Sequence, residues 1–277
     1  MPDFLDTLAK TAKETIRSGY YENTPKAAVL SASLKQAIKQ STEAAIIAEV
    51  KGSSPSRGII KTGFAPDEIA KSMARGGATG ISVLTEPKHF CGSMNNLARV
   101  RQATNLPLLM KDIILSTIQL DAAQRAGANA VLLIQAIFDR EYCQHDSKNM
   151  IAEAHKRNLE VLLEAHTLEE FNRAVKSDAD FIGINNRDLR TLKVNLNVTR
   201  DILSNRGTKG KIIVSESGIE SASDVLLLRE YGAQAFLIGS AIMKADNVEE
   251  KVNELVKATQ KQYPSKPDKE ETSKREN

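Results

Sequence analysis

The 277 residues contain no tryptophan, and five tyrosines and seven phenylalanines bring the aromatic share to only 4%. That shortage alone excludes nothing, but no basic run interleaved with aromatics occurs. The 38 basic and 35 acidic residues nearly cancel, for a net charge of +3. A general nucleic-acid-binding surface is therefore not expected. Cysteine is scarce too: Cys91 and Cys143 stand far apart, without CxxC or Cys/His spacing, which argues against a zinc site and a disulfide framework and fits a reducing cytoplasm. Charges interrupt every apolar run of the opening "MPDFLDTLAKTAKETIRSGYY", so it does not read as a secretory signal. No later stretch has the length and apolarity to span a bilayer. The expectation is a soluble, cytoplasmic protein with no membrane partner. Neither a P-loop nor a GxGxxG follows any candidate strand, so a nucleotide cofactor is not expected, and neither is a metal.

From Ile46 onward one pattern recurs: a short β-branched or leucine-rich run, a polar or glycine-containing loop, then a longer amphipathic stretch. The runs are "IIAEV", "GISVL", "PLLMK", "AVLLI", "EVLLEA", "FIGIN", "KIIVS" and "AFLIG". Stretches such as "STIQLDAAQRAGA", "TLEEFNRAVKSDA" and "SASDVLLLREYGA" carry helix-capping residues at their starts, and "RGGATG", "RAGANA" and "EYGAQA" supply glycines at helix exits. Eight strands that alternate with helices predict an α/β fold, a (β/α)8 TIM barrel over 46–260, with an open doubly wound sheet as the alternative. Residues 1–45 read as an N-terminal helical extension that covers part of one end of the barrel. Residues 261–277, "KQYPSKPDKEETSKREN", are too polar to bury surface and read as a disordered tail.

In a barrel of this kind chemistry sits at the C-terminal strand ends. Those ends carry Glu49 and Lys51, Lys111 and Asp112, Glu164, Asn185 to Asp188, Glu216 to Gly218, and Gly239 with Ser240. Side chains two apart share a strand face, so Leu109 with Lys111, Leu162 with Glu164, Gly183 with Asn185, and Val214 with Glu216 would put an apolar residue inside and a polar one on the rim. Each has a plainer reading. Glu49 and Lys51 could simply neutralise each other, the glycines could serve turns, and Asp112 and Asp188 read first as loop caps. His89, His145, His155 and His166 show no metal-ligand spacing and read as surface residues. "SGI" and "GSAI" follow the seventh and eighth strands, where backbone N–H groups of such barrels meet a phosphate. Ser54 and Ser56, on either side of Pro55, could add hydroxyl donors. A small phosphorylated substrate is implied.

Together "IIAEVKGSSPSRG", "SVLTEPKHFCGS", "PLLMKDII", "VLLEAHT", "FIGINNRDLRT", "IVSESGI" and "FLIGSAIM" resemble the indole-3-glycerol-phosphate synthase family, in the family's order, from about residue 46 to 243. The resemblance implies a cofactor-free lyase of tryptophan biosynthesis. Its reaction is ring closure of 1-(2-carboxyphenylamino)-1-deoxyribulose 5-phosphate with loss of carbon dioxide and water. By the same resemblance Lys111 is the general acid and Glu164 the general base of dehydration. Lys51, with Glu49 beside it, contacts the substrate carboxylate or phosphate. Asn185, Glu216 and Ser217 hold the substrate, Arg187 supports its loop, Phe90 stacks on the aromatic ring, and Gly218, Gly239 and Ser240 take the phosphate. The chain departs from the family at Ile113, often aromatic, and at Gly52, often basic. A monomer is the expected assembly. The alternatives are a sister phosphate-binding barrel such as phosphoribosylanthranilate isomerase, and a non-catalytic sugar-phosphate-binding barrel.

Overall fold

The computed structural model describes residues 3–28, 30–54, 58–60, 63–204 and 207–262. Ten strands appear in it: β1 Ala45–Val50, β2 Ser53–Ser54, β3 Gly58–Ile59, β4 Gly80–Leu84, β5 Leu108–Lys111, β6 Ala130–Ile134, β7 Glu160–Ala165, β8 Phe181–Asn185, β9 Ile212–Glu216 and β10 Ala235–Ile238. The short β2 and β3 pair antiparallel as a separate hairpin, which the sequence pattern did not signal. The other eight are parallel neighbours in chain order and close between β10 and β1, so the fold is a (β/α)8 barrel and not an open sheet. Every predicted strand is present, with bounds shifted by no more than a residue at either end.

Burial on both faces of the strands is what a parallel sheet with helices outside requires, and the β10–β1 pairing closes it. Ile47, Leu109, Leu132, Leu162, Val214 and Leu237 belong to the interior cluster, while Ile46, Met110, Val131, Leu163, Ile213 and Phe236 belong to the layer shared with the helices. The two lists differ by one position along each strand, the alternation that a period of two demands. Most of the described helices start on side-chain caps, with reciprocal capping boxes at Ser116 and Ser221. Gly77, Gly127 and Gly232, the glycines of the three recurring exit phrases, have φ of +92°, +83° and +107°. That region is open to glycine and strained for residues with a Cβ.

The N-terminal extension covers both ends of the barrel, where only part of one was expected. The helix Phe4–Arg17 lies at the C-terminal mouth, with Phe4 and Leu8 facing the cavity there, and Arg140 pins its start through Asp3 and Asp6. The helix Leu34–Gln40 closes the floor: Glu160, first residue of β7, accepts from the Ser33 hydroxyl and from the Leu34 and Lys35 N–H groups. Leu34 and Ile38 from below and Leu5 and Leu8 from above join the same interior cluster. One apolar column therefore runs from floor to mouth, and the polar groups collect above it.

At the far end, Lys257–Gln262 forms a 3-10 helix after Val248–Val256. The expected tail lies outside the described residues beyond Gln262. Among the described residues no helix is long and apolar enough to cross a membrane.

Candidate active site

Each rim charge is placed by its strand's register. Lys111 ends β5, Asn185 ends β8 opposite Glu216, which ends β9, and Glu164 is next to last in β7 opposite Gly183. These four strands, with β1 through Glu49, deliver their last polar residues to a single cavity of about 360 Å³, a size that suits a small organic ligand. Its lining includes Glu49, Lys51, Phe90, Lys111, Glu164, Asn185, Arg187, Glu216, Ser217, Gly218, Gly239 and Ser240, so the structure brings twelve of the expected site residues together. Ser54 pairs with Gly58 in the hairpin after Lys51, and Pro55 and Ser56 lie outside the described residues.

Lys111 is the centre of the charge network. Its Nζ donates to Glu216 Oε2 at 2.9 Å and to Glu164 Oε2 at 3.2 Å. Burial favours the neutral amine, but Glu216, Glu164 and Glu49 outweigh it, and the Lys111 pKa rises above that of ordinary lysine. The ammonium is therefore charged at neutral pH. The two carboxylates around it are not equivalent. Burial pushes Glu164 up, yet Lys111 and His166, with help from the Asn185 amide, carry it well below the usual carboxylate range. Glu216 is pushed up to about 7 by burial, which the attraction of Lys111 opposes and the charges of Glu164 and Glu49 reinforce. Glu164 is the ionised member of this pair. Glu216 Oε1, which lies against Gly183, and Glu49 Oε2 are buried without hydrogen-bond partners among the described residues.

A second pair stands on the other side. Lys51 Nζ lies 2.7 Å from Glu49 Oε1, and both crowd against Gly239. A Cβ at Gly239 would fall 2.5 Å from Glu49 Oε1 and 2.7 Å from Lys51 Cε. Glycine is needed here for room, not only for a turn. Gly239→Ala is accordingly expected to displace the Lys51 ammonium and raise KM for a phosphorylated substrate about tenfold or more, with a smaller loss in kcat. Steady-state kinetics check this, and an unchanged KM would show that Lys51 adapts freely.

The expected phosphate contacts are mostly backbone. Ser217 and Gly218, at φ +69° and +82°, turn the chain sharply after β9, and the helix Ser240–Lys244 starts at Gly239 without a side-chain cap. The apolar part of the lining comprises Phe4, Leu8, Phe90, Ile113, Ile134 and Leu189, with Val194 packed against Gly218. Ile113 stands in the wall where an aromatic was the comparison, leaving Phe90 and Phe4 as its aromatic members.

Three groups escaped the sequence reading. His166 is a correction: instead of a surface residue it is a buried one, its Nε2 3.2 Å from Glu164 Oε1 and its Nδ1 3.4 Å from Glu170 Oε2. It lies one residue past the end of β7 and two after Glu164, where the strand's alternation, if continued, carries it to the same side. Glu86 accepts the N–H groups of Lys88, His89 and Phe90, at 2.9, 2.7 and 3.0 Å, and so fixes the loop that carries Phe90. Tyr21 donates to both carboxylate oxygens of Asp112, which also takes the Thr85 hydroxyl and the Ile113 N–H. Asp112 is thus the expected loop cap, one residue from Lys111. Asp188 is also a cap, for the Arg190 and Thr191 N–H groups. Arg187 donates to the Leu192 carbonyl at 2.9 Å and braces its loop. Among the described residues no group of three or more His, Cys, Asp or Glu side chains could hold a metal ion.

The family model described as indole-3-glycerol phosphate synthase matches residues 6–255. Curated relatives of that name include one from Oceanobacillus iheyensis, 41% identical over 79% of this chain and 83% of its own, and one from Microcystis aeruginosa, 44% identical over 75% and 71%. A third, from Dehalococcoides mccartyi, is 42% identical over 76% and 81%. Among solved structures, a thiamine phosphate pyrophosphorylase from Pyrococcus furiosus aligns with TM-score 0.57 at 19% identity, covering 82% of this chain and 98% of that one. An N-acetylmannosamine-6-phosphate 2-epimerase from Clostridium perfringens aligns with TM-score 0.57 at 13% identity, over 78% and 93%. At those identities the likeness is one of fold.

Proposed function

The chain belongs to the indole-3-glycerol phosphate synthase family, and from that premise we propose a carboxy-lyase reaction in which Lys111 and Glu164 divide the proton transfers. It is an enzyme of tryptophan biosynthesis that acts on a phosphorylated small molecule. The reaction closes the ring of 1-(2-carboxyphenylamino)-1-deoxyribulose 5-phosphate. The ring carbon bearing the carboxylate attacks the ribulose carbonyl, carbon dioxide leaves from that carbon, and water is then lost to give indole-3-glycerol phosphate.

The observation that carries the assignment of roles is the Lys111 ammonium held between Glu164 and Glu216 at the cavity's centre. Attack by an arene carbon disrupts aromaticity, so the alkoxide that develops needs a proton donor already in place. Lys111 supplies it. Departure of carbon dioxide restores the aromatic ring. Glu164, ionised at neutral pH, then takes the proton that must leave as the hydroxyl departs, with Lys51 as the proton source for that hydroxyl. The substrate's phosphate fits the backbone turns at Ser217–Gly218 and Gly239–Ser240, beside Lys51, and Ser54 is proposed as a further contact. Its aromatic ring fits the wall of Phe90, Leu8 and Ile113, while Asn185 and Glu216 face the sugar. A dianionic ligand also favours the protonated form of Glu216, already the weaker acid of the pair. We propose a cytoplasmic enzyme that acts as a monomer without metal or organic cofactor.

The test supplies the carboxyphenylamino-deoxyribulose phosphate and follows indole fluorescence together with released carbon dioxide. Both signals in equal amounts are expected. An isomerase would release no carbon dioxide, and a binding protein would give neither.

A further inference from the structure

The ring of His166 is wedged between two carboxylates. On one side is Glu164 Oε1 and on the other Glu170 Oε2, at 3.2 and 3.4 Å, and the side chain is only 8% exposed. These are charge contacts: neither ring nitrogen has a hydrogen-bond partner of good geometry among the described residues. Glu170 is itself held in place. It accepts the His166 N–H at 2.7 Å, and its own N–H is capped by the Thr167 hydroxyl. The brace therefore belongs to the start of the helix Leu168–Ala174 and does not depend on ligand. Lys111 reaches the opposite oxygen of Glu164, so Glu164 has a cation on each side whereas Glu216 has one.

We propose that His166 is a positioning residue acting through Glu164: it holds the oxygen that Lys111 does not reach, and so fixes Glu164, rather than Glu216, as the unprotonated carboxylate of the site. The inference rests on the reading of Glu164 as the base. Four charged groups bear on the ring: Glu164 of β7, Glu170 of the following helix, Asp188 of the loop after β8, and Lys111 beyond Glu164. Burial favours neutral imidazole, but Glu164 and Glu170 reverse this and raise His166 to about 9, so it is cationic at neutral pH. Removing that cation raises the pKa of Glu164. Since the base must be ionised to act, the acid limb of the kcat profile must move to higher pH.

The experiment measures kcat and KM against pH for the full chain and for His166→Leu and His166→Gln, with an NMR titration of 15N-labelled histidine rings. His166→Leu is expected to lower kcat about tenfold to a hundredfold, to leave KM within about twofold, and to move the acid limb up by about one unit. His166→Gln recovers part of the rate through its amide N–H, but not the acid limb, because it carries no charge. In the wild type the His166 ring stays protonated beyond about pH 8, and it titrates lower in Glu164→Gln. With four histidines in the chain, its resonance is assigned from His166→Gln or, should that variant not fold, by substituting the other three. An acid limb unmoved in both variants, or a His166 ring titrating near the ordinary value of about 6.5, overturns the proposal. A wild type that makes no indole product overturns the function instead, and the ring titration distinguishes the two failures.

Discussion

Lys111→Ala should cut turnover by about 10³-fold or more, while the variant still binds inorganic phosphate or the product. The loss has a specific cause. Lys111 is both the proposed proton donor to the forming alkoxide and the cation shared by two buried carboxylates. Without it Glu164 and Glu216 face each other across an apolar-walled cavity, and the pair must take up a proton to remain buried. Phosphate binding survives because its proposed contacts, at Ser217–Gly218, Gly239–Ser240 and Lys51, lie on other strands. In a single turnover neither carbon dioxide nor indole should appear, since the missing proton is needed before decarboxylation. Lys111→Met, closer in volume, should behave alike. Substantial carbon dioxide release from either variant would remove Lys111 from the ring-closing step, and loss of phosphate binding as well would point to collapse of the site.

The sequence made the barrel legible because the physical signals were redundant. Two-sided burial yielded apolar runs, capped helices separated them, and the same glycine exit recurred at Gly77, Gly127 and Gly232. The rim charges were legible for a related reason: parity alone says that Lys111 follows Leu109 into the mouth and that Glu164 follows Leu162. The same parity puts His166 after Glu164. Its burial is not legible because a lone histidine without ligand spacing has no local signature, and its partner Glu170 lies on the next helix. Contacts between distant segments were beyond reach for the same reason. Nothing near Tyr21 indicates that its hydroxyl meets Asp112, nor near Ser33 that Glu160 caps the floor helix. Those pairings arise from closure of the barrel, and local patterns do not encode them. That the extension covers both ends is likewise hidden, because amphipathic spacing says that a helix packs, but not against which layer.

The clearest division of labour should come from Glu164→Gln. Glutamine keeps the shape and can still contact the Lys111 ammonium through its carbonyl oxygen, but it cannot accept a proton as a base. If Glu164 acts only in dehydration, ring closure and decarboxylation should survive, because Lys111 remains charged by Glu216 and Glu49. Mixing this variant with one equivalent of substrate should then release carbon dioxide promptly while indole fluorescence lags by about 10²–10³-fold. The ring-closed, decarboxylated alcohol accumulates in between and should be recoverable after an acid quench. Steady-state kcat falls by the same factor, since the slow step has moved to water loss. Parallel loss of both signals would instead place Glu164 before carbon dioxide departs, as a group that orients the attacking ring or sustains the charge on Lys111. The two outcomes separate a base from an electrostatic partner, a distinction that geometry at 3.2 Å from Lys111 supports equally either way. The asymmetry between Glu164, flanked by two cations, and Glu216, flanked by one, favours the base.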